Sequence, residues 1–361
     1  MSTVLKENWL EVKERYKAWW NKESNRALIQ VTSPKNKEAG FVHDWDGWDF
    51  ARDPRNPEIA IKKFEEFASR IYFGGDAYPH LFINLGPGVL AAYLGALPRF
   101  REDSKTVWFE TPTEWEKIED MMRFDPNNYW WKMTKNIASV VSRESENKFV
   151  VGTTDLGGVL DTLASLRGSK NLTVDLFKNP KRVLSASRKI LDLWFHYYDE
   201  LYVILNGKNR GTDTWMGIWC PKKWYPVQCD FSIMLSPKLF KEFALPLIQE
   251  QCKKFDYVIY HLDGAIQHLD YLLSVEEITG IQWEPGVNRP GIGSSIWFPL
   301  YKKILKKDKL LVLFASNGVQ KSEVLPLLNE IGPKGVIVRT FCNSKLEAEN
   351  LLKKLQEHNF I

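Results

Sequence analysis

The sequence predicts an α/β protein, a (β/α)8 TIM barrel forming a single domain over residues 1–361, with an N-terminal helical extension and an insertion after strand two. Three observations predict it. Short β-rich runs alternate with amphipathic helical stretches along the whole chain. Strand-and-helix pairs follow one another eight times without a Ser/Gly linker, which favours a closed barrel over an open doubly wound sheet. A hydrophobic fraction of 44% and a charged fraction of 26% in 361 residues match a soluble chain with one large core, and α/β barrels routinely use this much chain as one domain.

The first 20 residues carry charges every few positions and no apolar run fit for a secretory leader, so a cytoplasmic location is expected. Strand one is predicted over 27–32. Asn56-Pro57 then places a capping side chain before a proline that needs no amide partner, opening a helix over 58–71. Strand two, 80–84, lies in the uncharged stretch 77–98. That stretch is long enough for a membrane span, but Gly86-Pro87-Gly88 breaks it into a strand, a tight loop and a short buried helix.

Residues 100–125, with Val107-Trp108-Phe109, read as the insertion, and Thr113 with Glu116 has capping-box spacing. A helix over 130–143 leads to strand three at 148–153. Asn179-Pro180 starts a helix over 182–198, and strand four is predicted at 213–218. Ser236-Pro237 starts a helix over 237–253, followed by strand five at 257–260, a Ser274/Glu277 capping box and strand six at 279–283. The basic run 302–309 is the solvated face of an outer helix. Strands seven and eight fall at 310–314 and 335–341, and Ser344 with Glu347 caps a helix over 344–356.

With 49 Lys+Arg against 45 Asp+Glu the net charge is only +4, which is no footprint for nucleic acid. The cysteines Cys220, Cys229, Cys252 and Cys342 form no CxxC pair and are expected as thiols. No GxGxxG, GxxxxGK[ST] or GxSxG element is present, which removes dinucleotide redox, P-loop and α/β-hydrolase chemistry. The unusual entry is aromatic: 15 Trp, 20 Phe and 13 Tyr. Most fill a core, while Trp45, Trp48, Trp215, Trp219, Trp224 and Trp283 lie near predicted strand ends, where they suit an apolar-walled pocket for a small-molecule substrate.

Barrel enzymes build their sites at the C-terminal ends of the strands. Those ends offer Asn84, Asp155, Trp215, Trp219, Trp283 and Asn317 for substrate binding. His261 and Asp263 project to one side of an extended segment, and Cys342 at the end of strand eight would complete an N, O, S set suited to zinc. The same His-x-Asp also reads as a structural pair. His268 and Asp270 repeat the pattern where a helix opens, as capping or supporting groups. Glu284 is a general acid/base or a solvated loop carboxylate. Asp76, an isolated carboxylate in apolar surroundings, is catalytic or else an N-cap or a partner of Arg99 or Arg101.

Several segments together resemble the uroporphyrinogen decarboxylase superfamily: FGGDAYPHLFINLGPGVLAAYLGA (73–96), LRGSKNLTVDLFKNPKRV (166–183), DFSIMLSPKLFKEFALPLI (230–248), YHLDG (260–264) and VIVRTFCNS (336–344). The resemblance implies a (β/α)8 barrel with its site at the C-terminal mouth. It includes corrinoid-dependent and cobalamin:coenzyme M methyltransferases, which hold zinc through a His-x-Cys after strand five and a Cys after strand eight. His261 and Cys342 match two of these positions, and Asp263 replaces the intervening cysteine. The tetrapyrrole decarboxylases instead use N-terminal arginines and an aspartate that Asp76 resembles in position, but here Arg15 and Arg26 stand alone.

The function expected is a zinc-dependent methyltransferase taking its methyl group from a corrinoid on a partner protein, with His261, Asp263 and Cys342 on the metal and Asp76, His261 and Glu284 catalytic. The alternatives are a tetrapyrrole decarboxylase, a Trp-lined glycoside hydrolase using two of Asp155, Asp213, Asp263 and Glu284, and a non-catalytic binding barrel. A monomer or homodimer without nucleic-acid or membrane partners completes the expectation.

Overall fold

A computed structural model describes residues 6–36, 45–110, 113–206, 210–286, 288–314 and 318–361. The architecture is mixed α/β, built on a mostly parallel sheet of seven strands. The strands in chain order are β1 (Leu28–Pro34), β2 (Ile71–Gly75), β3 (His80–Phe82), β4 (Leu97–Arg101), β5 (Thr106–Glu110), β6 (Val150–Gly152), β7 (Trp224–Gln228), β8 (Tyr257–Asp263), β9 (Gly280–Glu284), β10 (Leu310–Leu313) and β11 (Val336–Phe341). The sheet runs β2-β1-β11-β10-β9-β8-β7, with β2 antiparallel to β1 and the other neighbours parallel.

The expected closed ring of strands is not formed. β3 and β6 pair in parallel as a separate two-stranded sheet, and the seven-stranded sheet ends at β7 and β2. The reason lies in the predicted fourth strand. Residues 213–218 form turns, because the Asp213 carboxylate accepts the amides of Thr214 (2.7 Å) and Ile218 (2.9 Å) and curls the chain back on itself. Gly217, with φ of +63°, completes the bend. The segment reaches β6 through one amide, Thr153 N–H to the Asp213 carbonyl at 3.1 Å. The strand itself comes later, at β7.

Alternation along the parallel strands divides the core in two. Leu28, Trp224, Ile259, Leu310, Val312 and Ile337 pack on one face against the helix Trp9–Trp20 and against Met216 to Cys220. The residues of opposite phase, among them Tyr225, Tyr260, Trp283, Val336 and Val338, pack against the outer helices. Those helices fall close to expectation at Pro57–Arg70, Tyr129–Glu144 and Lys345–Glu357, the one expected over 182–198 runs further, Pro180–Asn206, and the 237–252 helix contains a π-turn at Phe240–Ala244.

The caps separate by chemistry. Ser236 accepts the Leu239 amide and Ser344 the Glu347 amide, with Glu347 reaching back to the Asn343 amide at 2.7 Å. Asn56 makes no side-chain cap, and Ser274 turns its hydroxyl to the Tyr271 carbonyl instead of capping a helix. The expected Thr113/Glu116 box does not form either, since that helix begins at Trp115.

The insertion is an antiparallel hairpin, β4 with β5. The uncharged stretch folds as a strand, a Gly-Pro-Gly loop and the fully buried turn Leu90–Tyr93. Among the described residues no helix is long and apolar enough to cross a membrane. All four cysteines are unpaired and buried.

Candidate functional site

β7 and β8 are neighbours with Gln228 opposite His261, so whatever follows Gln228 emerges beside the end of β8. Asp230 opens a 3-10 turn two residues beyond β7. His261 and Asp263 share the strand phase of Ile259 and so face the inner side of the sheet. One ligand atom from each of Asp230, His261 and Asp263 lies within 4.8 Å of the other two.

The imidazole is set by its neighbours. Gln282, opposite His261 on β9, donates its amide nitrogen to the Phe314 carbonyl at 2.9 Å, which turns its oxygen to Nδ1 of His261. An amide oxygen only accepts, so this network assigns the proton to Nδ1 and leaves the lone pair on Nε2. Nε2 faces Asp230 Oδ1 at 3.9 Å. That oxygen is buried without a hydrogen-bond partner, whereas the Asp230 side chain as a whole keeps 42% of its exposure. Trp215 stands edge-on to the imidazole, ring centres 5.1 Å apart.

The surroundings are acidic and partly dry. Burial, reinforced by Asp263 and Asp155, pushes the Asp230 carboxyl up to about 7. Burial lifts Asp161 to about 7 against the hydrogen bonds it accepts, one of them from the Phe231 amide at 2.7 Å, which pins the turn carrying Asp230. Asp155 rises to about 6 by burial, and Glu284 is raised for the same reason. A divalent cation would relieve this crowding of acids. The donor set of one imidazole and two carboxylates fits such an ion.

Of the sequence candidates, His261, Asp263, Asp155, Glu284 and Trp215 therefore meet here. The others do not. Cys342 continues the phase of Val336, Val338 and Thr340, opposite to that of Ile337, and lies in the outer core, where burial first and Glu347 second push its thiol up to about 11. It is on the wrong side of the sheet to join His261. Trp283 is likewise in the outer core, against Trp297 at 5.1 Å.

Trp219 is buried in the inner core, its Nε1 donating to the Arg210 carbonyl at 2.8 Å and its ring against Trp9. Asp76 does not pair with Arg99 or Arg101. It is buried and paired with Arg15 at 2.5 Å and Arg26 at 3.3 Å, and it accepts the Ile29 amide at 2.8 Å, while Arg99 pairs with Glu110. Asn84 is spent on loop backbone, donating to the Gly47 carbonyl and accepting the Gly86 amide of its own loop. His268 stacks on Phe240 at 4.1 Å and meets the Ser232 carbonyl, a supporting role. Asn317 lies outside the described residues.

Asp230 and Gln282 were not anticipated. Asp230 was hidden by the fourth strand expected at 213–218, since the strand that precedes it is β7, Trp224–Gln228. Gln282 carried a signal, an amide at an inward position of a buried strand. A scan against protein-family models and a search of curated proteins find no match to this chain.

Proposed function

We propose that this protein is a divalent-metal-dependent enzyme in which Asp230, His261 and Asp263 hold the ion, and that it acts as a methyltransferase of the corrinoid-linked kind its sequence resembles. On this reading β1, β3, β6, β7, β8, β9, β10 and β11 are the eight staves of a (β/α)8-type barrel, with the 213–220 segment spanning the break between β6 and β7. The single observation that carries the metal reading is the free Nε2 of His261, aimed at a buried, unpartnered carboxylate oxygen.

A zinc-type ion bound there would lower the pKa of a thiol or water acceptor to near neutrality. The chain's own residues do the rest. Gln282 holds the imidazole in one tautomer, as supporting groups of metal-binding histidines do. Asp155 and Glu284, raised toward neutrality, take up or return the acceptor's proton. Asp161 and Trp215 fix Asp230 and His261 in place. The donor set lacks the sulfur ligands of the resembled methyltransferases, so an ion here would be held by harder atoms. Tetrapyrrole decarboxylation finds less support, because Asp76, Arg15 and Arg26 are consumed by one another.

Metal analysis of protein purified without chelator tests the proposal. Stoichiometric zinc-type metal is expected in the natural protein and in Cys342→Ser, and its loss in Asp230→Asn and Asp263→Asn. Natural protein carrying no metal, or Cys342→Ser losing it, overturns the reading.

A further inference from the structure

Apart from the metal triad, a hollow of about 800 Å³ opens where β1, β11 and the loop before β3 meet. Its lining includes the aromatic Trp45, Phe67, Phe73 and Phe341 and the polar Gln30, Asp46, His80 and Arg339. Arg339 is the cation lining this hollow among the described residues, and among them no carboxylate lies within ion-pair distance of it.

Its guanidinium is firmly aimed. Nε donates to Gln30 Oε1 at 2.8 Å, and Nη2 donates to the Met216 carbonyl at 2.6 Å. The Phe314 ring lies against it at 4.1 Å. Gln30 is in turn locked by the Tyr16 hydroxyl (2.6 Å) and the Gly217 carbonyl (2.7 Å), so it cannot follow the arginine elsewhere. Nη1 has no acceptor among the described residues.

The acids nearby are already engaged. Asp46 is gripped by both nitrogens of Arg52, at 2.6 and 2.5 Å, and by Lys105 at 3.0 Å. Asp213 is occupied by the Tyr78 hydroxyl at 2.6 Å and by two backbone amides. His80, 3.7 Å from Asp213, adds no second charge, since burial and then Arg339 lower its pKa to about 3.

A recessed guanidinium with a free donor, and with Asp213 acting on it only from beyond ion-pair contact among the described residues, is costly unless a ligand supplies a closer anion, and a carboxylate matches its planar fork. We propose that this hollow binds a small organic monocarboxylate with an aromatic or branched apolar body, the carboxylate on Arg339 and the apolar body against the aromatic wall.

The hollow and the metal triad are joined. Trp215 touches His261, the next residue's carbonyl holds Arg339, and Gly217 lines the hollow. Phe314 lies against Arg339 with its ring and fixes Gln282 with its carbonyl. As a statement about substrate class the inference rests on the metal reading. As a statement about binding it stands apart from that reading.

Calorimetric titration of full-length, chelator-treated protein with 3-phenylpropionate and with its neutral amide is the test. The carboxylate is expected to bind at least about tenfold more tightly than the amide, as a charge-assisted bond implies. Arg339→Met should erase that preference, Arg339→Lys should keep part of it, and Asp263→Asn, which alters the metal triad and not the hollow, should leave it intact. Equal binding of acid and amide, no binding of either, or an unchanged preference in Arg339→Met overturns the proposal. Should Arg339→Met not fold, the preference of the natural protein alone decides. A carboxylate preference in a protein that never carries metal sinks only the metal reading, and stoichiometric metal without that preference sinks only this one.

Discussion

His261 shows how much a single neighbour settles. Its ring nitrogens are made unlike by Gln282, whose own orientation is dictated by the Phe314 carbonyl. Replacing Gln282 by Leu removes the acceptor on Nδ1 and frees the ring to turn. Metal affinity should fall about 10- to 100-fold, the usual cost of losing such a support, while Gln282→Glu, which still offers an oxygen, retains it. Competition with a chromophoric chelator reads the difference, and equal affinities in Leu and Gln proteins would contradict the role assigned to the amide. His261 and Asp263 were legible in the sequence because i and i+2 spacing in a strand is a geometric statement. Cys342 was misassigned because strand phase depends on where the strand sits in the sheet, which a lone cysteine does not reveal. Asp76 was misread for a related reason: its partners, Arg15 and Arg26, are 50 or more residues away in the chain.

Among the elements, helices and parallel strands were readable wherever periodicity and proline caps agreed, as at Pro57–Arg70 and β9. The 213–218 run failed because β-rich composition cannot register that one aspartate side chain satisfies two amides a ladder would need. Loop packing offers a separate check. A Cβ on Gly157, whose φ is +76°, would meet the Gly88 Cα at 2.6 Å, so here the Gly-Pro-Gly loop and the loop after β6 touch backbone to backbone. Gly157→Ala should cost about 3 kcal/mol or more from strain and clash together. Gly88→Ala, with the same kind of φ (+71°) but its nearest neighbour 4.0 Å away, should cost about 1 kcal/mol. Urea midpoints of the two variants give the ranking, and a Gly88 variant as weak as the Gly157 variant would contradict the close approach.

Across the whole molecule, burial raises several carboxyls, Asp155 to about 6 and Asp161 and Asp213 to about 7. An acid whose folded pKa lies above its unfolded value keeps its proton in the folded state where the unfolded chain has already released it. Its contribution to stability is complete below about pH 4 and is lost as pH rises to about 7. Asp213→Asn, which preserves an acceptor for the two amides, should therefore flatten the decline in stability between pH 4 and 7 by up to about 4 kcal/mol, the ceiling for a three-unit shift at about 1.4 kcal/mol per unit. Unfolding curves of both proteins across that range measure it, and parallel pH profiles would show that Asp213 ionises freely. A large core was foreseeable from composition, but neither its division into two faces nor the failure of the ladder to run round the ring was, the latter turning on a few residues near Gly217.

The arch from Asp213 to Trp219 is tied to the body of the molecule largely through side chains: Gln30 and Arg339 grasp two consecutive carbonyls from one flank, and the Trp20 indole grasps a third at 3.0 Å. Cross-strand pairing is collective and yields only when several bonds part together, whereas tethers of this kind can be released singly. An anion that draws Arg339 a fraction of an ångström toward itself would tug on Met216, and Trp215, one residue away, would carry that displacement to His261. The hollow and the metal triad thus share a mechanical linkage that requires no strand to slide.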